Sequence, residues 1–360
     1  MDEIALAEKL MSHDSSHPEG IKEVAGLVAS WLEARDIDLT VHTIDGLPSL
    51  VADVGPDDAP TVIFHGHVDV VPAPVEMFTP RFEGDKLIGR GAYDMKGALA
   101  GMLLATEDLL DQDDVRIRLV VVPDEESDKA TNRASDVLVD DEGIGGDFAI
   151  TGEPTDLHVG VEAKGVLALG IEVSGRSAHG STPWIGDNAV LKAYDVYRAI
   201  ESLPFSHESS ALFRRPSINL GRIRGGDALN KVPDRCAIDV DIRYLPDQEP
   251  SDILDQIRTI PDTAILSTFC RPPASVDPEH RYVATLCDAV GRLHQGEATS
   301  VGRDGASDAV SFLEAGIPAV EFGPIGAGHH GPEEWVSVDS LRQYRHTLTR
   351  FVRDLPARLG

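Results

Sequence analysis

Strand-like and helix-like segments alternate along the chain, and this alternation constrains the fold more than any other feature. Apolar residues recur at helical spacing from Ile4 to Ala34, interrupted by the turn Ser-Ser-His-Pro-Glu-Gly. The segments that follow are strands around Leu39 to Ile44, Ser49 to Val54 and Thr61 to Phe64, a helix from about Met95 to Leu110 and a strand through Ile117 to Val122. Such alternation predicts an α/β sheet with helices on its faces, whose functional residues lie beyond the carboxyl ends of the strands.

After residue 165 the order of elements changes to β-α-β-β-α-β, which is typical of a ferredoxin-like α+β sandwich. The six segments are Leu167 to Val173, Asn188 to Leu203, Ser217 to Ile223, Cys236 to Tyr244, Ile253 to Ile260 and Ala264 to Cys270. A helix from Tyr282 to His294, a strand at Ala319 to Phe322 and a helix from Asp339 to Leu355 then complete the first domain. We therefore predict one domain from residues 1–165 and 275–360, and an inserted domain at 166–274.

Composition excludes several classes of protein. With a formal charge of −29, the chain repels polyanions, so we expect neither a nucleic-acid nor an anionic-membrane partner. It has no run of about 18 apolar residues and its first residues are acidic, which favours a cytoplasmic location. Three cysteines without C-x-x-C spacing indicate neither a disulfide framework nor a cysteine zinc site. The acidic surface also fits a halophilic host, a hypothesis that unchanged stability between low and molar salt would exclude.

A candidate metal ligand stands at the end of one predicted strand, in the run His65-Gly-His67-Val-Asp69. Because strand side chains alternate, His67 and Asp69 lie on one face of the strand end. A neutral imidazole binds Zn²⁺ through one nitrogen, and a carboxylate on the other nitrogen orients the ring. His65 fits the metal role as well as His67 does, and structural histidines are common at such positions.

Further acidic and imidazole side chains follow other elements. They are Asp94 in a glycine loop before a helix, Glu125 and Glu126 after the strand Leu119–Val122, Glu153 after Phe148–Ile150, and His329 and His330 after Val320–Pro324. Each has a plainer alternative: a helix N-cap for Asp94, a solvated turn for the glutamates and a solvated loop for the histidines. Jointly, one His, one Asp, two Glu and one more His supply five ligands, enough for two zinc ions if one carboxylate bridges them.

In this order the motifs resemble the two-zinc amidohydrolase and peptidase family that contains succinyl-diaminopimelate desuccinylase, acetylornithine deacetylase, aminoacylase and glutamate carboxypeptidase. The matching segments span the chain: His65–Asp69, Gly89–Gly97, Asp124–Glu126, Gly152–Pro154, Ser177–Pro183, Asn230–Pro233, Asp241–Arg243, Gly305–Asp308 and Glu321–His330. The resemblance implies an α/β, zinc-peptidase-like catalytic domain, a mixed sheet flanked by helices, with an inserted ferredoxin-like α+β lid and dimerisation domain.

The resemblance also implies the roles of the site residues. His67, Asp94 and Glu153 hold one zinc ion, and Asp94, Glu126 and His330 hold the other, with Co²⁺ as a possible substitute. Asp69 orients His67, and Glu125 is the general base. His329 is the alternative to His330, which is preferred because the family has an acidic residue four positions after its ligand, here Glu334. A non-proline cis peptide is expected directly after Asp94.

Three further residues lie in the inserted domain. The resemblance implies that His179 donates a hydrogen bond to the tetrahedral oxyanion from the partner subunit, helped by the amide of Asn230, which requires a homodimer through the lid domain. Arg243 is implied to bind the substrate carboxylate through its planar guanidinium. A surface salt bridge is the alternative for Arg243.

The predicted activity is metal-dependent hydrolysis of the amide bond of an N-acyl amino acid, as in acetylornithine deacetylase or succinyl-diaminopimelate desuccinylase, within amino-acid biosynthesis. A dipeptidase or carboxypeptidase with the same metal site is the enzymatic alternative. A non-catalytic, metal-binding dimeric scaffold is the alternative of another class, although a scaffold would not need Glu125 and His179. Succinyl specificity stays open, because Glu162-Ala-Lys164-Gly stands where the desuccinylases carry paired arginines.

Overall fold

The computed structural model describes residues 2–127, 133–294 and 300–359. Its backbone forms two compact units. The larger unit contains Met1–Val161, Val276–Val301 and Asp308–Gly360, and the smaller contains Glu162–Ser275 and Gly302–Ser307. The smaller unit includes eleven residues outside the predicted range 166–274, namely residues 162–165, 275 and 302–307. The catalytic and lid roles of the two predicted domains stay predictions.

The helices are α1 (Glu3–Met11), α2 (Pro18–Glu33), α3 (Lys96–Asp108), α4 (Ala134–Asp140), α5 (Ala189–Ile200), α6 (Pro250–Arg258), α7 (Arg281–His294), α8 (Ala309–Glu314), α9 (Val338–Asp354) and α10 (Pro356–Leu359). The strands are β1 (Asp38–Ile44), β2 (Leu47–Val54), β3 (Thr61–His67), β4 (Arg81–Glu83), β5 (Lys86–Ile88), β6 (Arg116–Val122), β7 (Phe148–Thr151), β8 (Val159–Ala163), β9 (Gly165–Ser174), β10 (Ser217–Gly225), β11 (Arg235–Tyr244), β12 (Thr263–Arg271), β13 (Ala274–Ser275), β14 (Ser300–Arg303), β15 (Ala319–Glu321), β16 (Gly326–Ala327) and β17 (Trp335–Ser337).

The larger unit is built on a mixed sheet in the order β1-β2-β6-β3-β7-β15-β8. Strand β3 is parallel to β6 and β7, and β15 is parallel to β7. The outer pairs β1-β2, β2-β6 and β15-β8 are antiparallel. Because the four parallel strands β6, β3, β7 and β15 are neighbours, their carboxyl ends meet at one edge of the sheet. A second sheet in this unit has the order β16-β17-β5-β4.

Helix α3 lies in the core of the larger unit, where every side chain from Lys96 to Thr106 is buried. It packs against α1, α9 and strand β3. Small residues allow this close packing. A Cβ atom added to Gly101 would lie 2.7 Å from Cδ1 of Tyr344 in α9, a distance that real Cβ contacts do not reach. The absence of a side chain at Gly101 therefore allows α3 and α9 to pack closely.

The smaller unit is a ferredoxin-like sandwich. Its antiparallel sheet has the order β10-β11-β9-β12, and α5 and α6 complete the β-α-β-β-α-β sequence. Buried residues alternate along β11, from Cys236 to Tyr244, as expected for a strand with one face on a core. Together with the mixed sheet of the larger unit, this confirms the predicted fold class. Within the described residues, no helix combines the length and the apolarity needed to cross a membrane.

Candidate metal centre

The carboxyl ends of neighbouring parallel strands deliver three of the predicted ligands. Strand β3 ends at His67, Glu126 follows β6, and Glu153 follows β7. Asp94 lies in the loop between β5 and α3, and His330 lies after β16 with a positive φ of 62°. All five belong to the larger unit.

Asp94 lies between the two histidines. Its Oδ1 is 3.2 Å from Nε2 of His67, and its Oδ2 is 3.4 Å from Nε2 of His330. The same nitrogen of His330 is 2.9 Å from Oε1 of Glu126. Ligand atoms of His67, Asp94 and Glu126 all lie within 4.8 Å of one another. One carboxylate that presents a different oxygen to each histidine has the arrangement of a bridging ligand between two ions.

The surroundings of Glu153 indicate whether cations fit between these side chains. Its Oε1 is buried without a hydrogen-bond partner in the described part of the chain, and it lies 3.8 Å from Nε2 of His67. A buried carboxylate oxygen without a partner is costly, and a metal ion is one of the few groups that can satisfy it. Imidazole nitrogens and carboxylate oxygens are also ligand types that zinc accepts. The residues present therefore fit a pair of divalent ions.

The pKa values reflect the crowding of carboxylates with imidazoles. Burial alone would raise the pKa of Asp94, but hydrogen bonds from His330 and His67 hold this pKa well below its ordinary range. Hydrogen bonds with Asp94 and Glu126 raise the pKa of His330 to about 10. Burial and the nearby charges of Asp94 and Glu125 raise the pKa of Glu153 well above its ordinary value. In the absence of metal ions, protons on His330 and Glu153 therefore balance part of the negative charge of the site, which bound cations would balance instead.

Asp69 connects His67 to the two adjacent glutamates. Nδ1 of His67 lies 3.0 Å from the backbone carbonyl of Asp69 and 3.5 Å from its carboxylate. The Asp69 carboxylate in turn accepts the backbone N–H groups of Glu125, at 3.2 Å, and Glu126, at 2.8 Å. It therefore fixes the turn that carries both glutamates as well as contacting the histidine ring.

Glu125 lies beside the ligand cluster. Its side chain is 18% exposed and that of Glu126 is 9% exposed, so the alternative of a solvated turn is wrong. Burial and the charge of Asp308 raise the pKa of Glu125 to about 8. A carboxylate in such an environment can accept and return a proton.

The conformations of two loops distinguish a ligand role from a structural role for Asp94 and for His330. Met95, not Asp94, occupies the N-cap position of α3, so the alternative of an N-cap at Asp94 is wrong. The Asp94–Met95 peptide bond is cis, which confirms the expectation from the resemblance. His329 packs edge-on against Tyr93, with ring centroids 5.7 Å apart, whereas His330 faces Asp94 and Glu126. This geometry favours His330 as the ligand.

Glu334 is a residue of the site that the sequence indicates only through its spacing from His330. It is fully buried, and its carboxylate accepts the backbone N–H groups of Gly91, Tyr93 and Asp94 and a 2.6 Å bond from Arg90. Glu334 therefore holds the loop that presents Asp94.

The remaining predicted residues lie in the smaller unit, which is described on its own. His179 is exposed, with Nδ1 2.8 Å from Oγ of Ser181. The backbone carbonyl of Asn230 accepts a 2.7 Å bond from Gly180, so the structure brings His179 and Asn230 into adjacent segments. Nε of Arg243 is 3.0 Å from Oδ2 of Asp241, which matches the salt-bridge alternative for this residue.

Fold and site together define a metal-dependent hydrolase that acts on amide bonds. The chain belongs to peptidase family M20/M25/M40, whose family model matches residues 63–354.

Its relatives include a desuccinylase and a deacetylase. Succinyl-diaminopimelate desuccinylase of Sphingopyxis alaskensis is 30% identical over 317 residues, which cover 82% of this chain and 81% of the relative. Acetylornithine deacetylase of Aliivibrio fischeri is 27% identical over 375 residues, which cover 96% and 97%.

Solved structures share the fold. The M20 family metallo-carboxypeptidase of Sulfolobus solfataricus superposes with a TM-score of 0.80 at 18% identity, over 99% of this chain and 100% of that chain. The YXEP protein of Bacillus subtilis, a dinuclear metal-binding peptidase, gives a TM-score of 0.70 at 17% identity, over 97% of each chain.

Proposed function

We propose that this protein is a cytoplasmic enzyme of amino-acid biosynthesis that hydrolyses the amide bond of an N-acyl amino acid. Two relatives that match most of the chain, a desuccinylase and a deacetylase, act on substrates of this class by name. The observation that carries the proposal is the position of Asp94 between His67 and His330, with Glu125 near enough to interact electrostatically with His67, Asp94 and Glu126. A purely structural metal site would not need a further, largely buried carboxylate at its edge.

Five side chains would hold two divalent ions, which we propose to be Zn²⁺, with Co²⁺ as a substitute. The first ion would bind His67, Asp94 and Glu153, and the second Asp94, Glu126 and His330. When bound, such ions polarise an amide carbonyl and lower the pKa of water. The orphaned oxygen of Glu153 and the two-sided contacts of Asp94 support this assignment.

Glu125 is the proposed general base. Its carboxylate takes the proton of the attacking water and returns it to the nitrogen of the leaving amine. Asp69 holds the backbone of Glu125 in place, so the carboxylate starts from a fixed turn. The Asp69 carboxylate also contacts the ring of His67, so one side chain holds both the proposed base and a proposed metal ligand in position.

A homodimer through the smaller unit completes the proposed site. His179 of one protomer donates to the oxyanion in its partner, assisted by Asn230, and Arg243 exchanges Asp241 for the substrate carboxylate. The large apolar residues beside His179 support a partner surface: Trp184 is 77% exposed and Leu229 fully exposed.

The Glu125→Gln variant tests the mechanism. We expect it to keep two metal ions per chain and lose turnover, since glutamine keeps the shape but accepts no proton. Glu333→Gln, on an exposed neighbour of Glu334, is the control and should retain activity. Unchanged turnover in the Glu125 variant would exclude the mechanism.

A substrate panel tests the activity itself. N-acetyl-L-ornithine, N-succinyl-diaminopimelate and simple dipeptides are assayed with Zn²⁺ or Co²⁺. Hydrolysis of the acyl amino acids supports the proposal, hydrolysis of dipeptides alone indicates the peptidase alternative, and two bound metals without any turnover indicate the scaffold.

Mixing experiments test the shared site. His179→Ala and Glu125→Gln protomers are each inactive in this proposal, but a mixed dimer keeps one complete site. Random mixing should therefore restore about one quarter of the wild-type activity, because half of the dimers are mixed and each has one working site. No recovery in verified mixed dimers would contradict donation in trans.

A further inference from the structure

A series of buried polar side chains outside the ligand set leads from strand β3 to Glu125. It consists of His65, Ser135, Asp308 and Arg133, all in the larger unit. His65, Ser135 and Asp308 are at most 2% exposed. None of the four has a role in the proposed mechanism. Most buried polar groups in proteins are hydrogen-bonded, and the hydrogen bonds among these four side chains join them into one series.

The hydrogen bonds have a defined direction. The Ser135 hydroxyl donates its single proton to Oδ2 of Asp308 at 2.7 Å, so its oxygen accepts the Nε2 proton of His65 at 3.0 Å. This tautomer leaves Nδ1 of His65 as a bare acceptor, and Nδ1 has no partner within the described residues. The His65–Ser135 arm therefore fixes one oxygen of Asp308.

The other oxygen of Asp308 holds Arg133. Nη1 of Arg133 donates to Oδ1 of Asp308 at 3.1 Å, and the same nitrogen lies 3.7 Å from Oε1 of Glu125. Arg133 is thus closer to Asp308 than to Glu125. At 3.7 Å a guanidinium attracts a carboxylate without the short bond that would occupy its oxygen.

We propose that Arg133, held by Asp308, is a positioning residue that aims the Glu125 carboxylate toward the reacting water. Asp308 prevents Arg133 from closing onto Glu125, and the His65–Ser135 arm prevents Asp308 from turning away. This inference rests on the proposed function, in which Glu125 is the general base.

Kinetics of Arg133→Ala and Asp308→Asn test the inference on the panel substrate that is hydrolysed fastest. We expect kcat to fall by about tenfold or more, KM to stay within about twofold, and two metal ions to remain bound. Millimolar guanidinium, far below denaturing concentrations, should restore part of the activity of Arg133→Ala but none of that of Glu125→Gln. Arg342→Ala is the matched control, because it removes an exposed arginine 3.0 Å from Asp339. It should retain full activity.

A second readout does not depend on activity. In metal-free protein, the double variant should lower the Tm by less than the sum of the two single variants, since either change already breaks the pair. Additive Tm shifts or an unchanged kcat would overturn the positioning role. A rise in KM alone would also overturn it, because it would make Arg133 a substrate ligand. If Arg133→Ala does not fold, Asp308→Asn and Arg133→Lys give the same comparison. Retained turnover in the Glu125→Gln variant, by contrast, would contradict the proposed function and not only the role of Arg133.

Discussion

Oε1 of Glu334 accepts a 3.0 Å hydrogen bond from the backbone nitrogen of Asp94, the carboxylate that faces both histidines. A second bond from the backbone of Tyr93, at 2.9 Å, reaches the same oxygen. Glu334 lies four residues after His330, so one buried side chain connects two loops that carry proposed ligands of the same ion. Arg90, at 2.6 Å, balances its charge.

Glu334→Gln should weaken metal binding. The amide can accept on one side, but its NH₂ group then faces the N–H donors of Arg90 and Gly91. We expect metal affinity to fall about 10- to 100-fold, as for other residues that orient ligands. Breaking the buried pair with Arg90 should also cost about 3–5 kcal/mol of unfolding free energy. Metal titration and urea unfolding measure the two effects. Glu333→Gln is the control, and equal affinities in both variants would contradict the role of Glu334.

Removing the metals should destabilise the protein. Without cations, the carboxylates of Asp94 and Glu126 lie close together, and Oε1 of the buried Glu153 lacks a partner among the described residues. Zn²⁺ at 100 times its Kd should add about 2.7 kcal/mol per site to the unfolding free energy. A Tm that does not change between chelated and Zn²⁺-loaded protein would contradict this.

The Glu153→Gln variant separates the destabilising effect of the buried carboxylate from the stabilising effect of metal binding. It removes a buried carboxylate, so the metal-free variant should melt at a higher temperature than metal-free wild type. Its gain on adding Zn²⁺ should be smaller, because one proposed ligand is lost. A gain equal to that of wild type would exclude Glu153 as a ligand.

The proposed ligands could be predicted because they follow strongly patterned strands. His67, Glu126 and Glu153 come three or four residues after apolar runs, and parallel strands bring such positions to one edge. The contact of Glu334 with Arg90 joins residues 244 positions apart, and local periodicity carries no information about it. Strands such as β16, with two residues, are likewise too short to show a period.

The positions of Arg133 and Asp308 could not be predicted for a similar reason. Arg133 precedes α4 and Asp308 precedes α8, so their 3.1 Å bond depends on how two short helices pack. The motif around Asp308 is visible in the sequence, but its partner is not. The resemblance assigns Arg243 to the substrate carboxylate, whereas in the structure its Nε lies 3.0 Å from Oδ2 of Asp241.

Gly101→Ala and Gly26→Ala should have opposite effects. A Cβ at Gly101 would lie 2.7 Å from Tyr344, so we expect overpacking to cost about 1–3 kcal/mol. Nothing lies within 4 Å of the corresponding position at Gly26 in α2, where alanine should stabilise the helix by about 0.5–1 kcal/mol. Thermal unfolding of the two variants measures both effects. Destabilisation by Gly26→Ala of the same size would show that close packing at Tyr344 is not the cause.

His65 should make the metal-free protein less stable as the pH falls. Burial lowers its pKa from 6.5 to about 4, so between these values the unfolded chain binds a proton that the folded chain does not. Stability therefore declines from pH 6.5 to 4 by up to about 1.4 kcal/mol per pH unit from this group, and no further below pH 4. His65→Gln keeps a donor for Ser135 but has no group that titrates in this range. Urea unfolding of chelated protein across this range should show a shallower slope in the variant, by up to one proton. Equal slopes would mean that His65 takes up its proton as readily in the folded state as in the unfolded chain.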